Sequence, residues 1–131
     1  MGYIREHEPQ VYALMRIMAG FLFLWHGLQK VVGWPVPMPM EAPAFIIWTA
    51  GPIELVGGIL VMIGLFTRPA AFLCSGLMAF AYWMGHGLSK LDQGVVGLLP
   101  SVNGGEPAAI YCFVFLYICA RGAGPMSVEG A

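Results

Sequence analysis

Apolar residues occupy four long runs of the chain, and each break between them carries proline, glycine or charged residues. The runs cover residues 11–30, 43–66, 69–86 and 107–121. A helix rises about 1.5 Å per residue, so about 20 residues cross the hydrocarbon core of a bilayer. The last run is the shortest. The pattern predicts an all-α integral membrane protein, a four-helix bundle with up-down topology that forms one membrane domain over residues 1–131.

The second run contains a helix breaker and a carboxylate, Pro52 and Glu54. The part after Pro52 is too short to span alone, so we predict one helix kinked at Pro52, which removes a backbone hydrogen bond. Such kinks persist in membranes where neighbouring helices satisfy the freed carbonyl groups. A carboxylate at this depth needs a partner and usually marks a site, so Glu54 is predicted to face the bundle interior.

Composition supports the membrane prediction and excludes other classes. Hydrophobic residues make up 59% of the 131 residues and charged residues 10%, whereas soluble domains carry about 25% charged residues. A net charge of −1 gives no electrostatic footprint for nucleic acid. The three cysteines form no CxxC pair, so neither a thioredoxin-like motif nor a zinc site is indicated.

The basic residues fall unequally on the two sides of the predicted membrane. The side shared by both termini carries three arginines, with a fourth nearby: Arg5, Arg68, Arg121 and Arg16. The opposite side carries Lys30 and Lys90. Because cytoplasmic loops hold the excess of Lys and Arg, we predict a multi-pass protein of the plasma (inner) membrane with both termini cytoplasmic. The four tryptophans then fall in the outer half, where amphipathic rings favour the headgroup region.

Counting residues from the predicted helix ends suggests a partner for Glu54. Glu54 falls about level with Gly20 of the first span, and Arg16 lies one turn closer to the cytoplasm. An unpaired carboxylate there would cost several kcal/mol or be protonated. We therefore predict a buried Arg16–Glu54 ion pair, which either fixes the helix register or serves a functional site.

A second group of polar residues is predicted at the outer rim. His26 and Lys30 are spaced i,i+4 on one helix face, Gln29 lies beside them, and His86 ends the third span at a similar depth. One interpretation is that these side chains only reach out to the interface from helix ends. The other is a pocket for the polar head of an amphiphile such as a quinone.

The histidines allow two further interpretations. His26 and His86 could be axial ligands of a b-type haem, or could join Glu54 in a metal site. Neither has a diagnostic spacing in the sequence. No metal site is therefore assigned, no cofactor is certain, and a quinone is favoured over haem b as the bound group.

The chain resembles the DoxX family of small four-helix membrane proteins over most of its length. Four segments carry the resemblance: Arg16 to Lys30 with its glycines, Gly51-Pro-Ile-Glu-Leu-Val-Gly-Gly58 with Gly64-Leu-Phe-Thr-Arg68, the span ending at His86, and Asn103-Gly-Gly-Glu106. The tail after Gly122 is also similar, but lacks the basic residue often found there. That difference removes the basis for a lipid-phosphate contact at the tail.

The resemblance implies a link to redox systems, because some relatives are subunits of thiosulfate:quinone oxidoreductase or accessory membrane components of oxidoreductase complexes. Two functions follow as expectations. One is an accessory or membrane-anchor subunit of a quinone-linked redox system, with other subunits as partners. The alternative is a non-catalytic scaffold, an assembly factor or a small-solute conduit lined by Arg16 and Glu54.

Whether the protein is itself an enzyme stays open. Membrane lipid is the expected surrounding, nucleic acid is not a partner, and a homo-oligomer remains open.

Overall fold

The computed structural model describes residues 1–34, 44–87 and 92–130, and the regular structure within these ranges is helical. The elements in chain order are α1 (Gly2–Glu6), α2 (Glu8–Val31), α3 (Ala44–Ile63), α4 (Thr67–Phe80), a π-helix (Ala81–Gly87), a 3₁₀-helix (Val95–Leu98), α5 (Pro100–Asn103) and α6 (Glu106–Arg121). The π-helix continues α4 directly. The proline-rich segment predicted between the first two spans, residues 35–43, and Lys90 lie outside the described residues.

Each predicted span coincides with a long helix, with small differences at the ends. The helix of the first predicted span, α2, begins at Glu8, because Pro9 fits the first helical turn, where its missing N–H leaves no hydrogen bond unmade. The helix of the second predicted span, α3, continues through Pro52 from Ala44 to Ile63. Helices α2 and α3 are long and apolar enough to cross a membrane. The kink at Pro52 and the crossings by all four helices remain predictions.

Helices α2 and α3 pack closely and antiparallel along a row of glycines. A Cβ atom on Gly20 would lie 2.5 Å from the carbonyl oxygen of Gly58, and one on Gly58 would lie 2.8 Å from the amide nitrogen of Leu24. A Cβ atom on Gly27 would fall on the backbone of Leu55. The two backbones are therefore in direct contact, as small residues permit in membrane helix pairs. These contacts fix the register between α2 and α3.

The turn from α3 into α4 is a Schellman motif, a common helix end. The amide of Leu65 donates to the carbonyl of Leu60 over 2.9 Å, and Gly64 adopts a φ of +73°. Glycine takes this left-handed conformation without the steric cost that a Cβ atom brings. The turn places α4 antiparallel to α3, with the Cys74 sulfur against Gly57.

Helix α6 packs mainly on α4, where the Ser75 hydroxyl donates to the Cys112 carbonyl over 2.7 Å. Its contact with α2 is made by aromatic rings: the Phe23 centroid lies 4.8 Å from that of Phe115 and 5.5 Å from that of Tyr111. Large side chains thus separate these two helices, whereas glycines bring α2 and α3 together. Phe23 and Phe115 lie in the buried core.

The outward faces of the four long helices are apolar. Exposed residues on these faces include Leu14, Met18, Phe21, Leu22, Phe45, Trp48, Val56, Ile59, Phe72, Leu73, Phe80, Ile110, Phe113 and Leu116. Soluble monomers rarely expose contiguous apolar patches on this scale, and larger ones mark membrane or protein contacts. This surface fits the hydrocarbon environment that the sequence predicts.

Candidate functional site

The buried carboxylate of α3 is paired with the lysine near the end of α2. Glu54 is only 2% exposed, and the Lys30 ammonium lies 2.6 Å from each of its two carboxylate oxygens. The Lys30 side chain is 16% exposed. Within the ion pair, the Glu54 carboxylate is therefore buried, whereas the Lys30 side chain is partly exposed.

The predicted Arg16–Glu54 pair is wrong, because Arg16 binds backbone carbonyl groups instead. Its Nε donates to Val61 over 3.1 Å, and its two terminal nitrogens donate to carbonyls of the C-terminal tail: Ala123, Pro125 at 3.0 Å and Met126 at 2.7 Å. The guanidinium is completely buried. A buried Arg is thus satisfied without a carboxylate, partly by the negative C-terminal end of α3.

The wrong partner follows from a register error. Counting from helix ends placed Glu54 level with Gly20, but the structure places its neighbour Leu55 against Gly27. The difference is about two helical turns, or ~10 Å. The true register is set by the glycine contacts between α2 and α3. It brings Lys30 to Glu54 and leaves Arg16 beside Val61.

A cavity of about 190 Å³ lies directly beside the Lys30–Glu54 pair. All long helices contribute to its lining: Phe23, His26 and Lys30 from α2, Glu54 from α3, Met78 from α4, Ala81 and His86 from the π-helix, and Pro107, Ala108 and Tyr111 from α6. The structure therefore gathers His26, Lys30 and His86, three of the four residues suggested for a headgroup pocket. The fourth, Gln29, does not line this cavity.

His86 lies in the π-helix and contacts Asn103, the last residue of the short helix α5. Its Nδ1 lies 3.2 Å from the carbonyl oxygen of Asn103. Asn103 is buried, and its side chain accepts from the Gly105 amide at 2.8 Å and donates to the Gly97 carbonyl at 3.0 Å. The Asn103 side chain thus ties together the segment that supports His86. Wide π-helical turns are frequent at functional sites.

Tyr111 is a cavity residue that the sequence interpretation did not select. Its ring stacks on Phe115 at 5.9 Å and meets the His26 ring edge-on at 6.4 Å. Nothing in the sequence distinguishes Tyr111 from the other aromatic residues of the last span. Only the i,i+4 spacing of Tyr111 and Phe115 could have indicated that they share a face. Tyr111 adds a residue with both an aromatic ring and a phenolic hydroxyl to the lining of the cavity.

The opposite end of the helices carries a second polar cluster, formed by Arg16 and the tail segment, residues 122–130. The amides of Val128 and Glu129 donate to the carbonyls of Ile63 and Gly64 over 2.9 and 3.0 Å. The Glu129 carboxylate accepts from the Thr67 amide over 2.7 Å. The tail thereby caps both the end of α3 and the start of α4. We call this the tail end and the opposite one the cavity end.

The profile of the DoxX family matches residues 11–87, which is more than half of the chain. This chain belongs to the DoxX family. The matched range contains Arg16, His26, Lys30, Glu54 and His86, whereas Tyr111 and the tail lie beyond it. The family match therefore covers Arg16, the Lys30–Glu54 pair and most polar residues of the cavity.

Two relatives are similar in sequence. A Haemophilus influenzae protein named only "Uncharacterized protein" is 36% identical over 132 residues, covering 98% of this chain and 96% of the relative. A Bacillus subtilis protein named "Putative oxidoreductase CatD" is 37% identical over 59 residues. That match covers 42% of this chain and 44% of the relative, less than half of each. No solved structure matches the chain.

Proposed function

We propose that this DoxX-family protein is an accessory or membrane-anchor subunit of a quinone-linked redox system, and that its cavity binds the quinone ring. The observation that carries the proposal is the clustering of His26, Lys30, Glu54, His86 and Tyr111 around one cavity. Ligand sites combine apolar walls with a few convergent polar groups, and this cavity has that composition.

The lining suits a quinone ring in chemistry and in size. Quinone carbonyls accept hydrogen bonds, and the Lys30 ammonium has three N–H donors, of which Glu54 takes two. Phe23, Met78 and Ala108 supply apolar surface for the ring. A volume of about 190 Å³ lies below the roughly 300–1,000 Å³ of drug-sized ligand pockets, so only a small headgroup fits.

The ion pair also favours a neutral headgroup over a charged one. Lys30 and Glu54 neutralise each other at 2.6 Å. An anion bound to Lys30 would meet the Glu54 carboxylate, and separating the pair would leave a buried charge unpaired. A quinone has no net charge, and its carbonyl oxygen can accept a hydrogen bond from the remaining Lys30 N–H without breaking the pair. The name of the Bacillus subtilis relative adds support for a redox role.

Quinone binding in lipid nanodiscs tests the proposal. Decylubiquinone should bind wild type saturably, and binding should weaken about tenfold or more in Lys30→Met and in His26→Ala, because each change removes a polar group of the cavity. Gln29→Ala is the matched control, since Gln29 neighbours Lys30 in sequence but does not line the cavity. Gln29→Ala should bind as wild type does.

Absence of saturable binding to wild type would overturn the proposal and favour the non-catalytic scaffold. Equal weakening by Gln29→Ala and His26→Ala would also contradict it, because the effect would then not depend on the cavity. The conduit alternative loses its basis, since Arg16 is saturated by carbonyl groups and does not reach Glu54.

We further propose a four-span topology with both termini on the cytoplasmic side. The apolar outer faces of all four long helices support it, as does the bias of Lys and Arg. A reporter that is active only in the periplasm should be silent when fused after Gly130 and active when inserted at residue 38. The opposite pattern would reverse the orientation, and equal activity at both sites would contradict an even number of spans.

A further inference from the structure

The Lys30–Glu54 pair presents a hydrogen-bond donor and an acceptor side by side on the cavity wall. Lys30 gives two of its three N–H donors to Glu54, so one remains. The Glu54 carboxylate accepts these two hydrogen bonds and has lone pairs for about two more. Within the part of the chain that the structure describes, no other group donates to it. The pair therefore has unused hydrogen-bonding capacity of both kinds.

Glu54 differs from the other polar residues of the cavity because its carboxylate accepts hydrogen bonds and has no proton to donate. Lys30 only donates, and both a carbonyl and a hydroxyl oxygen of a ligand can accept from it. Histidine and tyrosine side chains have donor and acceptor atoms, so these residue types admit either group. A ligand carbonyl beside Glu54 gains no hydrogen bond from it, whereas a hydroxyl does. Among the lining residues that the structure describes, Glu54 is therefore the one that distinguishes a hydroxyl from a carbonyl group.

We infer that the cavity binds the reduced quinol ring more tightly than the quinone, and that Glu54 determines this preference. The inference rests on the proposed function and specifies the redox form of its ligand. A quinol hydroxyl accepts from Lys30 and donates to Glu54, whereas a quinone carbonyl can only accept. Because the Lys30 ammonium lies 2.6 Å from each carboxylate oxygen, one hydroxyl oxygen can lie within hydrogen-bond distance of both groups.

The size of the preference is limited because Glu54 keeps Lys30 as a partner when no hydroxyl is present. A site whose buried polar groups are left unpaired rejects an analogue that lacks the hydroxyl by several orders of magnitude. Glu54 is 2% exposed but stays paired with either ligand, so a quinone forgoes only the added hydrogen bond. That bond has a charged acceptor and is stronger than a neutral one. We therefore expect about tenfold tighter binding of the quinol.

Affinities of wild type in lipid nanodiscs for decylubiquinol and decylubiquinone, measured under argon with tritium-labelled ligands, test the inference. The quinol should bind about tenfold more tightly. Glu54→Gln replaces the carboxylate with a neutral amide that can also donate, so the two affinities should become about equal. Glu106→Gln is the matched control, because Glu106 is an exposed carboxylate of α6 that does not line the cavity. It should keep the wild-type ratio of affinities.

A redox titration of wild type gives a second measurement that does not depend on a variant folding. Tighter binding of the quinol stabilises the reduced form, so the midpoint potential of bound decylubiquinone should lie above its value in empty nanodiscs. For a two-electron couple, a tenfold preference corresponds to about 30 mV.

Three results would overturn the inference while leaving ring binding intact. These are equal or tighter binding of the quinone to wild type, an unshifted midpoint potential, and a tenfold preference for the quinol that persists in Glu54→Gln. Absence of saturable binding of both ligands to wild type would instead overturn the proposed function.

Discussion

Arg16 is a fully buried cation and Lys30 a half-buried one on the same helix, and the two ends of the molecule satisfy them differently. At the tail end, backbone carbonyls of α3 and of the tail segment accept the hydrogen bonds of Arg16. At the cavity end, a single carboxylate binds Lys30, and both side chains line a cavity. The first cation is enclosed by backbone, whereas the second is partly open to a ligand.

The difference is the basis for assigning Arg16 a structural role and for proposing a ligand-binding role for Lys30. A planar guanidinium with five N–H donors can bridge several carbonyl groups at once, which suits Arg16 to joining the tail to α3. A lysine is a point charge with three rotatable donors. Its geometry leaves one donor for another molecule when two are used by Glu54. Burial of a charge alone therefore does not distinguish a structural role from a ligand site, and the cavity beside Lys30 and Glu54 is what supports the site proposed above.

The largest expected effect is the loss of the guanidinium in Arg16→Met. The carbonyls of Ala123, Pro125 and Met126 would lose their donors, and the tail would lose its main attachment. We expect the free energy of unfolding to fall by about 4 kcal/mol, measured by titration from mild detergent into SDS. Limited proteolysis should then cut within residues 122–130.

Arg5→Met is the matched control, since Arg5 is exposed on α1. It should change the free energy of unfolding by less than about 0.5 kcal/mol. Arg16→Lys should lower the free energy of unfolding by less than Arg16→Met and by more than Arg5→Met, because one ammonium cannot bridge carbonyls of α3 and the tail together. A loss below about 1 kcal/mol in Arg16→Met, with the tail still protected, would contradict the structural role.

Lys30→Met should lower the free energy of unfolding by a smaller amount, about 2 kcal/mol, because it leaves the Glu54 carboxylate unpaired. The cavity moderates the loss by admitting water or a proton. Adding Glu54→Gln should recover at least about 1 kcal/mol of it, as expected for residues in contact.

The Arg16–Glu54 pair predicted from the sequence gives the matched comparison. Arg16→Met and Glu54→Gln should have additive effects on the free energy of unfolding within about 0.5 kcal/mol, since these residues do not meet. Additive effects for Lys30 and Glu54, or coupling between Arg16 and Glu54, would reverse the assignment of partners.

The smallest effect concerns Glu129, which caps the start of α4 from the tail. Glu129→Ala removes the acceptor of the Thr67 amide and should lower the free energy of unfolding by about 1 kcal/mol. Glu129→Gln keeps an acceptor and removes only the charge that favours a helix N-terminus. It should therefore lower the free energy of unfolding by about half as much as Glu129→Ala. Equal losses in the two variants would mean that the charge alone matters. Glu6→Gln, on exposed α1, should have no measurable effect.

The sequence by itself determined the helical segments, the family and the types of residue at the cavity end. Long apolar runs bounded by proline and glycine leave few alternatives to helices, because backbone groups in hydrocarbon need internal partners. The buried position of Glu54 and the common depth of His26, Lys30 and His86 followed from the same pattern. Both depend only on positions along each helix, and local sequence carries that information.

Only the tertiary structure decided which groups meet. The partner of Glu54 depends on how far α2 slides along α3, and that register is set by backbone contacts at Gly20, Gly27 and Gly58. Counting from helix ends cannot supply it, because the helices do not end in a common plane. The same holds for Tyr111, which reaches the cavity only through the packing of α6. Contacts between residues distant in the chain depend on the assembled helices, so no single segment encodes them.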